Sequence, residues 1–197
     1  MSDDPKLYGL VLAGGRSRRM GRDKALLERD GQTQLQYAFS LLKDLTDRQF
    51  VSTRADQQDD PERQRFPQIV DRYDDLGPVA GILSALETQP DTAWLVIACD
   101  LPNLDKRTLE YLVENAAREK PFTAYRSSHD GLPEPLCAIY RSRSAAIIRA
   151  FIADGIVCPR KMLIRSDSDL LDQPNPAALD NVNTPDDLAS SILQSAR

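Results

Sequence analysis

The sequence is poor in the residues from which disulfide frameworks and zinc sites are built. Its 197 residues include one histidine and three cysteines. Cys99, Cys137 and Cys158 lie far apart and form no C-x-x-C pair, which argues against a disulfide framework and against a zinc site. We therefore expect the three thiols to be small buried hydrophobic groups or bystanders.

Long apolar segments are also lacking. The longest apolar runs have five to seven residues, as in 93–99, whereas a membrane-spanning helix needs about 20. The first five residues are acidic and contain no apolar signal core, so we expect a cytoplasmic protein without a membrane partner. The formal net charge of −5 likewise disfavours a general nucleic-acid partner.

The chain as a whole has the composition of one folded domain. Hydrophobic residues make up 41% and charged residues 28%, which is enough to build a core and a polar surface. We found no repeat, low-complexity tract or linker. A single domain over residues 1–197 is therefore predicted.

Hydrophobic spacing predicts an alternation of strands and helices. Strands are predicted at 7–13, 49–52, 68–70, 93–98, 122–125 and 136–140. Helices are predicted at 34–45, from 78, at 105–118, at 145–152 and from 184. Asp30-Gly31 signals a turn, and the polar stretch 54–65 is expected to be a surface loop or short helix. The alternation indicates an α/β fold with a mostly parallel sheet covered by helices on both faces.

Three polar segments follow predicted strands. They are the loop after Ala13, the region of Asp71, and Asp100. Ligands of parallel sheets bind beyond the carboxyl ends of the strands, so these segments should lie close together. A carboxylate at the position of Asp100 is suited to bind Mg²⁺ on phosphates.

The loop after Ala13 combines glycines with a high density of cations. Gly14 and Gly15 allow a ligand to approach the backbone closely, so that N–H groups can meet phosphate oxygens. Chance would place about one cation in nine residues, given 25 in 197, but this stretch has five. They are Arg16, Arg18, Arg19, Arg22 and Lys24. The spacing fits neither the P-loop motif nor the dinucleotide-binding glycine motif, which leaves another kind of phosphate site or a solvated basic loop.

The same loop resembles the signature of nucleotidyltransferases that act on sugar phosphates, polyol phosphates and molybdopterin. Within that superfamily it is most similar to the molybdenum cofactor guanylyltransferase family. Related cytidylyltransferases usually have alanine at the position of Gly14. The residues that carry the resemblance are Leu12-Ala13-Gly14-Gly15, Ser17, Arg19-Met20-Gly21 and Asp23-Lys24.

Four further segments resemble the same family. They are Asp71 with Gly77-Pro78-Val79-Ala80-Gly81, in which valine replaces the usual leucine; Cys99-Asp100; residues 131–140; and Asn181-Val182-Asn183-Thr184-Pro185. The Pro133-Glu134-Pro135 part is expected to be a stiff loop that leads into a strand, because proline is unsuited to a central strand.

The resemblance implies a Rossmann-like three-layer α/β/α nucleotidyltransferase domain with a mostly parallel sheet. It implies transfer of GMP from GTP to molybdopterin with release of pyrophosphate, and Mg²⁺ as the cofactor. Transient contacts with enzymes that make or receive the molybdenum cofactor are also expected.

The resemblance also assigns roles to individual residues. Arg54 or Thr53 stands where many relatives carry asparagine after the second strand, so the sequence departs from the family at one nucleotide contact. Catalytic roles fall to Lys24, Arg19 and Asp100; nucleotide binding to Leu12, Ala13, Gly14, Gly15, Lys24, Arg54, Asp71 and Asp100; metal binding to Asp100; and acceptor binding to Asn181 and Asn183.

Two alternatives remain open at the level of sequence. One is another nucleotidyltransferase, acting with cytidine on molybdopterin or on a sugar phosphate, for which the loop and the metal site would be unchanged. The other is a non-catalytic nucleotide-binding module that has kept the fold.

Overall fold

The computed structural model describes residues 6–15, 23–29 and 31–181. Seven strands of this part form one sheet, and two short strands form a separate hairpin. The bounds of the strands are β1 Leu7–Leu12, β2 Glu28–Arg29, β3 Gln32–Thr33, β4 Arg48–Thr53, β5 Gln68–Val70, β6 Ala93–Ala98, β7 Phe122–Arg126, β8 Pro133–Tyr140 and β9 Ser168–Asp172.

Three helices begin at local capping signals. Thr33 caps the first helix through a capping box with Gln36, and Asp105 caps the third through the N–H of Thr108. Pro78 occupies the first turn of the second. The bounds are α1 Gln34–Leu42, α2 Pro78–Thr88, α3 Lys106–Asn115, α4 Ser144–Ala153 and α5 Pro159–Ile164, with 3-10 turns at Lys24–Leu26, Ala55–Gln57 and Arg63–Arg65.

The sheet is mostly parallel, as predicted. Its order is β5-β4-β1-β6-β8-β7-β9, and only β8 runs antiparallel to both of its neighbours. Strand β6 is buried along its whole length, because helices cover both faces. One core cluster packs α1 and α3 against one face, and the other packs α2, α4 and α5 against the opposite face. The predicted three-layer α/β/α architecture is confirmed.

The expectation for Pro133-Glu134-Pro135 was wrong. These residues belong to β8, where Pro133 is paired with Arg126 and Glu134 with Tyr125 of β7. Strand β6 pairs only with the second half of β8, from Cys137 onward. The first half of β8 therefore has a single neighbour, and proline is tolerated there because its missing N–H is not needed on the open side.

Two helices are shorter than predicted. Helix α1 ends at Leu42 and not at residue 45, and α3 ends at Asn115 and not at residue 118. Sequence patterns locate helix ends poorly because terminal turns fray. The predicted helix start at residue 184 lies outside the described residues.

Candidate active site

A large cavity lies at the carboxyl ends of β1, β4, β5 and β6. Its volume is about 610 Å³, which is within the range of small-molecule sites. The three segments expected to converge do meet here. The lining includes Leu12, Ala13, Gly14, Gly15, Asp23, Lys24, Ser52, Arg54, Asp71, Gly77, Gly81 and Asp100.

The glycine loop leaves the sheet directly into this cavity. The N–H of Ala13 still donates to the carbonyl of Ser52 at 3.2 Å, so the loop begins as a continuation of β1. A Cβ added to Gly14 would lie 3.4 Å from Asp71 Oδ2, and one added to Gly15 would meet no described atom within 4 Å. The backbone at Gly15 is thus open to a ligand. Residues 16–22, which include the predicted catalytic Arg19, lie outside the described part.

Asp23 and Lys24 also line the cavity. Asp23 caps the 3-10 turn that follows, accepting the N–H of Ala25 at 3.0 Å. Lys24 Nζ then reaches Asp100 Oδ2 at 3.1 Å, with 17% of the lysine side chain and 22% of the aspartate side chain exposed. Two residues that lie 76 positions apart in the sequence are therefore paired in the cavity, as the strand-end rule predicted.

Asp100 supplies the carboxylate that a metal would need. Among the described residues, no group of three or more His, Cys, Asp or Glu side chains could hold a metal ion by itself. Mg²⁺ does not need such a cage, because it is commonly held by one or two carboxylates together with substrate phosphates. The donor set beside the glycine loop therefore fits Mg²⁺ bound with a nucleotide.

Asp71 lines the same cavity, directly after the edge strand β5. Its N–H donates to the carbonyl of Thr53 at 2.8 Å, and its Oδ1 accepts the hydroxyl of Ser52 at 2.7 Å. Burial raises the pKa of Asp71 to about 6, although Ser52 and the charge of Arg54 oppose that rise. The neutral and ionised forms of this carboxyl are both accessible near physiological pH. Gly81 packs against the Ser52 side chain so closely that a Cβ would collide with it.

Arg54 lines the cavity but is held by the protein itself. Its Nη1 donates to the carbonyl of Gly14 at 2.6 Å, and its Nε and Nη2 donate to the two carboxylate oxygens of Asp56 at 2.8 Å. This guanidinium therefore holds the Gly14 carbonyl of the glycine loop. Its predicted contact with the nucleotide stays a prediction.

Sequence reasoning missed Arg63. The stretch 54–65 was expected at the surface, yet the Arg63 side chain is only 1% exposed. It contacts the carbonyl of Ala13 and the carboxylate of Asp23. No signal in the sequence distinguishes it from its exposed neighbour Arg65, since both lie in the same polar stretch.

A smaller cavity of about 230 Å³ adjoins the large one, and Leu136 lines both. Asn181, a predicted acceptor-binding residue, lies in its wall. Arg160 lines the same cavity, where it is held by Asp130 at 3.0 Å and by Glu134 at 2.9 Å. Asn183 lies outside the described residues.

Cys99 lines the large cavity, and Cys137 and Cys158 line the smaller one. Cys99 and Cys137 are buried, and burial raises the pKa of each thiol, so both are unreactive. Cys158 is exposed. The hydrogen bond to Asp180 raises the pKa of the exposed His129.

No helix in the described part of the chain is long and apolar enough to cross a membrane.

Comparisons with known proteins show which family the chain resembles. The model of the MobA-like NTP transferase domain matches residues 9–170. A molybdenum cofactor guanylyltransferase of Pseudomonas aeruginosa is 32% identical over 189 residues, which cover 92% of this chain and 92% of that protein. A probable molybdenum cofactor guanylyltransferase of Nostoc is 31% identical and covers 93% and 89% of the two chains.

A longer relative and a solved structure add to the comparison. A molybdenum cofactor biosynthesis bifunctional protein of Synechocystis is 38% identical over 181 residues, and this chain spans about half of it, 52%. The crystal structure of molybdopterin-guanine dinucleotide biosynthesis protein A from Archaeoglobus fulgidus superposes with a TM-score of 0.77. It is 24% identical and is covered to 95% by 93% of this chain. That structure shares the fold described above.

Proposed function

We propose that this chain, which belongs to the family of MobA-like NTP transferase domains, transfers GMP from GTP to molybdopterin and releases pyrophosphate. The observation that carries the proposal is the convergence of Gly14-Gly15, Lys24, Asp71 and Asp100 in one cavity at four strand ends. These are residues through which the loop and its supporting segments resemble the family.

The reaction is an in-line displacement at the α-phosphorus of GTP. A terminal phosphate oxygen of molybdopterin forms the new P–O bond, and the bond from the α-phosphorus to the bridging oxygen breaks, so the electron pair leaves with pyrophosphate. A phosphate monoester has its second pKa near 6 and is already an anion at neutral pH. No general base is needed, and no histidine is found among the described residues that line the large cavity.

Catalysis then depends on positioning and on neutralising charge. We expect Lys24 to contribute most of this charge neutralisation, because its ammonium group is in the cavity, 3.1 Å from Asp100. It is placed to donate to the phosphates that leave. The backbone N–H groups of Gly14 and Gly15 are suited to the same phosphates, and Arg19 is proposed to join them.

Asp100 is proposed to hold Mg²⁺ on the phosphates. When bound, this ion would offset the negative charge that builds up on the phosphate oxygens as pyrophosphate leaves. Asp100 also pairs with Lys24, so the carboxylate keeps the ammonium group in the cavity before the nucleotide arrives.

We assign one substrate to each cavity. The large cavity, which is lined by both Asp71 and Asp100, is assigned to the nucleoside triphosphate. The smaller cavity, with Asn181 and Arg160, is assigned to the acceptor. Because Leu136 lines both, the reacting phosphates would meet at their junction.

One experiment tests the function. The protein is incubated with molybdopterin, Mg²⁺ and each of the four nucleoside triphosphates in turn, and the dinucleotide and the released pyrophosphate are measured. We expect product with GTP and at most about 1% of that rate with CTP, since a site that hydrogen-bonds one base discriminates strongly against another. Faster turnover with CTP, or turnover only with a sugar phosphate as acceptor, would replace this function. Nucleotide binding without any transfer would identify a binding module.

A single domain over 1–197, a cytoplasmic location and contacts with other enzymes of the molybdenum cofactor remain predictions.

A further inference from the structure

We infer that Arg63 is a positioning residue of the nucleotide site, which joins the two ends of the basic glycine loop and sets the direction of its phosphate-binding groups. The inference rests on the proposed function in so far as it assigns phosphates to this loop. It deepens that function, because it names a buried side chain that touches no substrate and yet controls how the loop meets one.

The contacts of Arg63 lie on both sides of the loop. Its Nη2 donates to the carbonyl of Ala13 at 2.7 Å, where the loop begins, and to Asp23 Oδ2 at 2.7 Å, where the loop ends. Its Nη1 lies 3.2 Å from Asp60 Oδ1, an oxygen that also accepts the Arg63 backbone N–H at 3.0 Å. Asp60 therefore holds the arginine, and the arginine holds Ala13 and Asp23.

The contact with Ala13 determines where an N–H group points. In a trans peptide the carbonyl of one residue and the N–H of the next lie in the peptide plane and point in opposite directions, and the described peptides are all trans. Holding the Ala13 carbonyl against Arg63 thus directs the Gly14 N–H away from Arg63. Arg54 does the same for the next peptide by holding the Gly14 carbonyl, which directs the Gly15 N–H.

The contact with Asp23 determines where the lysine lies. Asp23 uses Oδ2 for Arg63 and Oδ1 to cap the turn that begins at Lys24. Lys24 is the first residue of this turn, and its Nζ donates to Asp100 Oδ2. A continuous series of contacts therefore runs from Arg63 through Asp23 to the proposed catalytic pair.

Stability alone does not account for such an arrangement. A buried ion pair is often no more stable than well-packed apolar residues of similar volume. Arg63 is 1% exposed, and its Nε has no acceptor among the described residues. A planar guanidinium can bind a carbonyl and two carboxylates at fixed angles, which an ammonium group cannot do. Fixed geometry is the property that a phosphate loop requires.

The test compares Arg63→Lys, Arg63→Ala and Arg65→Ala. Arg65 is the matched control, because it lies two residues away, is 60% exposed and pairs with Glu62 at the surface. For each variant, nucleoside triphosphate affinity is measured by calorimetry without acceptor. Turnover is measured with both substrates at a temperature well below the thermal unfolding midpoint of each variant, which is found by circular dichroism. Arg63→Ala is also assayed with millimolar guanidinium ion.

We expect Arg63→Lys to lower kcat/KM for the nucleotide by about 10- to 100-fold and to leave the acceptor KM within twofold. Guanidinium ion should restore part of the activity of Arg63→Ala, and Arg65→Ala should behave as the wild type. Nucleotide affinity and kcat within twofold of the wild type in folded Arg63→Lys would overturn the inference. An equal loss for both substrates would overturn it as well, because that pattern belongs to a merely structural residue.

If neither Arg63 variant folds, Asp23→Asn gives the same test, since it keeps the cap on the turn and weakens the tie to Arg63. It should weaken nucleotide binding without changing the acceptor KM, and unchanged nucleotide binding would overturn the inference. A wild-type protein that binds a nucleoside triphosphate but makes no dinucleotide would refute the proposed function and leave this test valid. A wild-type protein that binds no triphosphate would refute both.

Discussion

The two halves of the sheet carry cavities of different construction. In β5, β4, β1 and β6 the strands run parallel, so their carboxyl ends meet at one edge and bring Gly14, Asp71 and Asp100 together. In the other half β8 runs antiparallel, so the start of a strand, not its end, lines the smaller cavity. The first site is a set of loops on strand ends. The second is a wall of proline and ion pairs, with Arg160 between Asp130 and Glu134.

This difference indicates how the work is divided. The parallel half offers backbone N–H groups, a lysine and carboxylates, which suit the charge of a triphosphate. The half that contains β8 offers a smaller cavity whose wall includes Pro135, Leu136, Cys137 and Leu179. Changes in the first half should therefore affect the chemical step, and changes in the second should affect the acceptor alone.

The largest effect is expected at Asp100. Replacement by alanine removes the carboxylate proposed to hold Mg²⁺ and to pair with Lys24, so pyrophosphate release should fall by about 10³-fold or more, while the circular dichroism spectrum stays unchanged. Asp91→Ala is the control, because this exposed residue lies before the same strand, at its opposite end. Turnover by Asp100→Ala within tenfold of the wild type would contradict the metal role.

Lys24→Ala comes next. Loss of one donor to the transition state should lower kcat by about 10²–10³-fold, measured as dinucleotide formation at saturating substrates. Lys106→Ala serves as the control, since Lys106 forms a surface pair with Asp44 and should give wild-type rates. A loss of less than about threefold at Lys24 would mean that the phosphates are held elsewhere.

Asp71→Asn should change stability in a pH-dependent manner. The folded-state pKa of about 6 lies above the ordinary aspartate value of 3.8, so the folded protein binds this proton more tightly and loses stability as the pH rises from about 4 to above 6. At pH 8 the variant should be more stable than the wild type by about 1–3 kcal/mol, measured by urea denaturation. The gain should shrink at pH 5. An equal gain at both pH values would contradict the assigned burial of charge.

The smallest effect is expected at Asn181. Removal of one hydrogen-bonding side chain from the smaller cavity should raise the KM for molybdopterin by about tenfold, with the KM for GTP unchanged. Steady-state assays in which one substrate is varied at a time would separate the two constants. A change in the GTP constant instead would break the division between the two halves of the sheet.

The strand-end rule predicted the large cavity from sequence alone. Ala13, Asp71 and Asp100 were expected to meet because each follows a buried strand, and parallel strands end at one edge. The helix caps at Thr33 and Asp105 are local features too, because each hydrogen bond joins residues three positions apart. The predictions of helix ends were less accurate, because tertiary packing decides whether a terminal turn is stable.

Prediction failed where the outcome depended on a distant neighbour. Pro133 is compatible with a strand only because β6 does not pair with that half of β8, and the order of strands is a tertiary property. Arg63 resembles any other arginine of a polar stretch. Its burial arises from the meeting of Ala13, Asp23 and Asp60 around it.

The sequence by itself determined the α/β alternation, the glycine loop and the chemical character of the nucleotide site, because periodicity, turn residues and charge density are local properties. Only the tertiary structure decided which strand runs antiparallel, that a second cavity shares Leu136 with the first, and that a buried guanidinium joins the ends of the loop. These features depend on contacts between residues that are remote in the chain. These contacts stabilise the protein only after the sheet has brought the partner residues together.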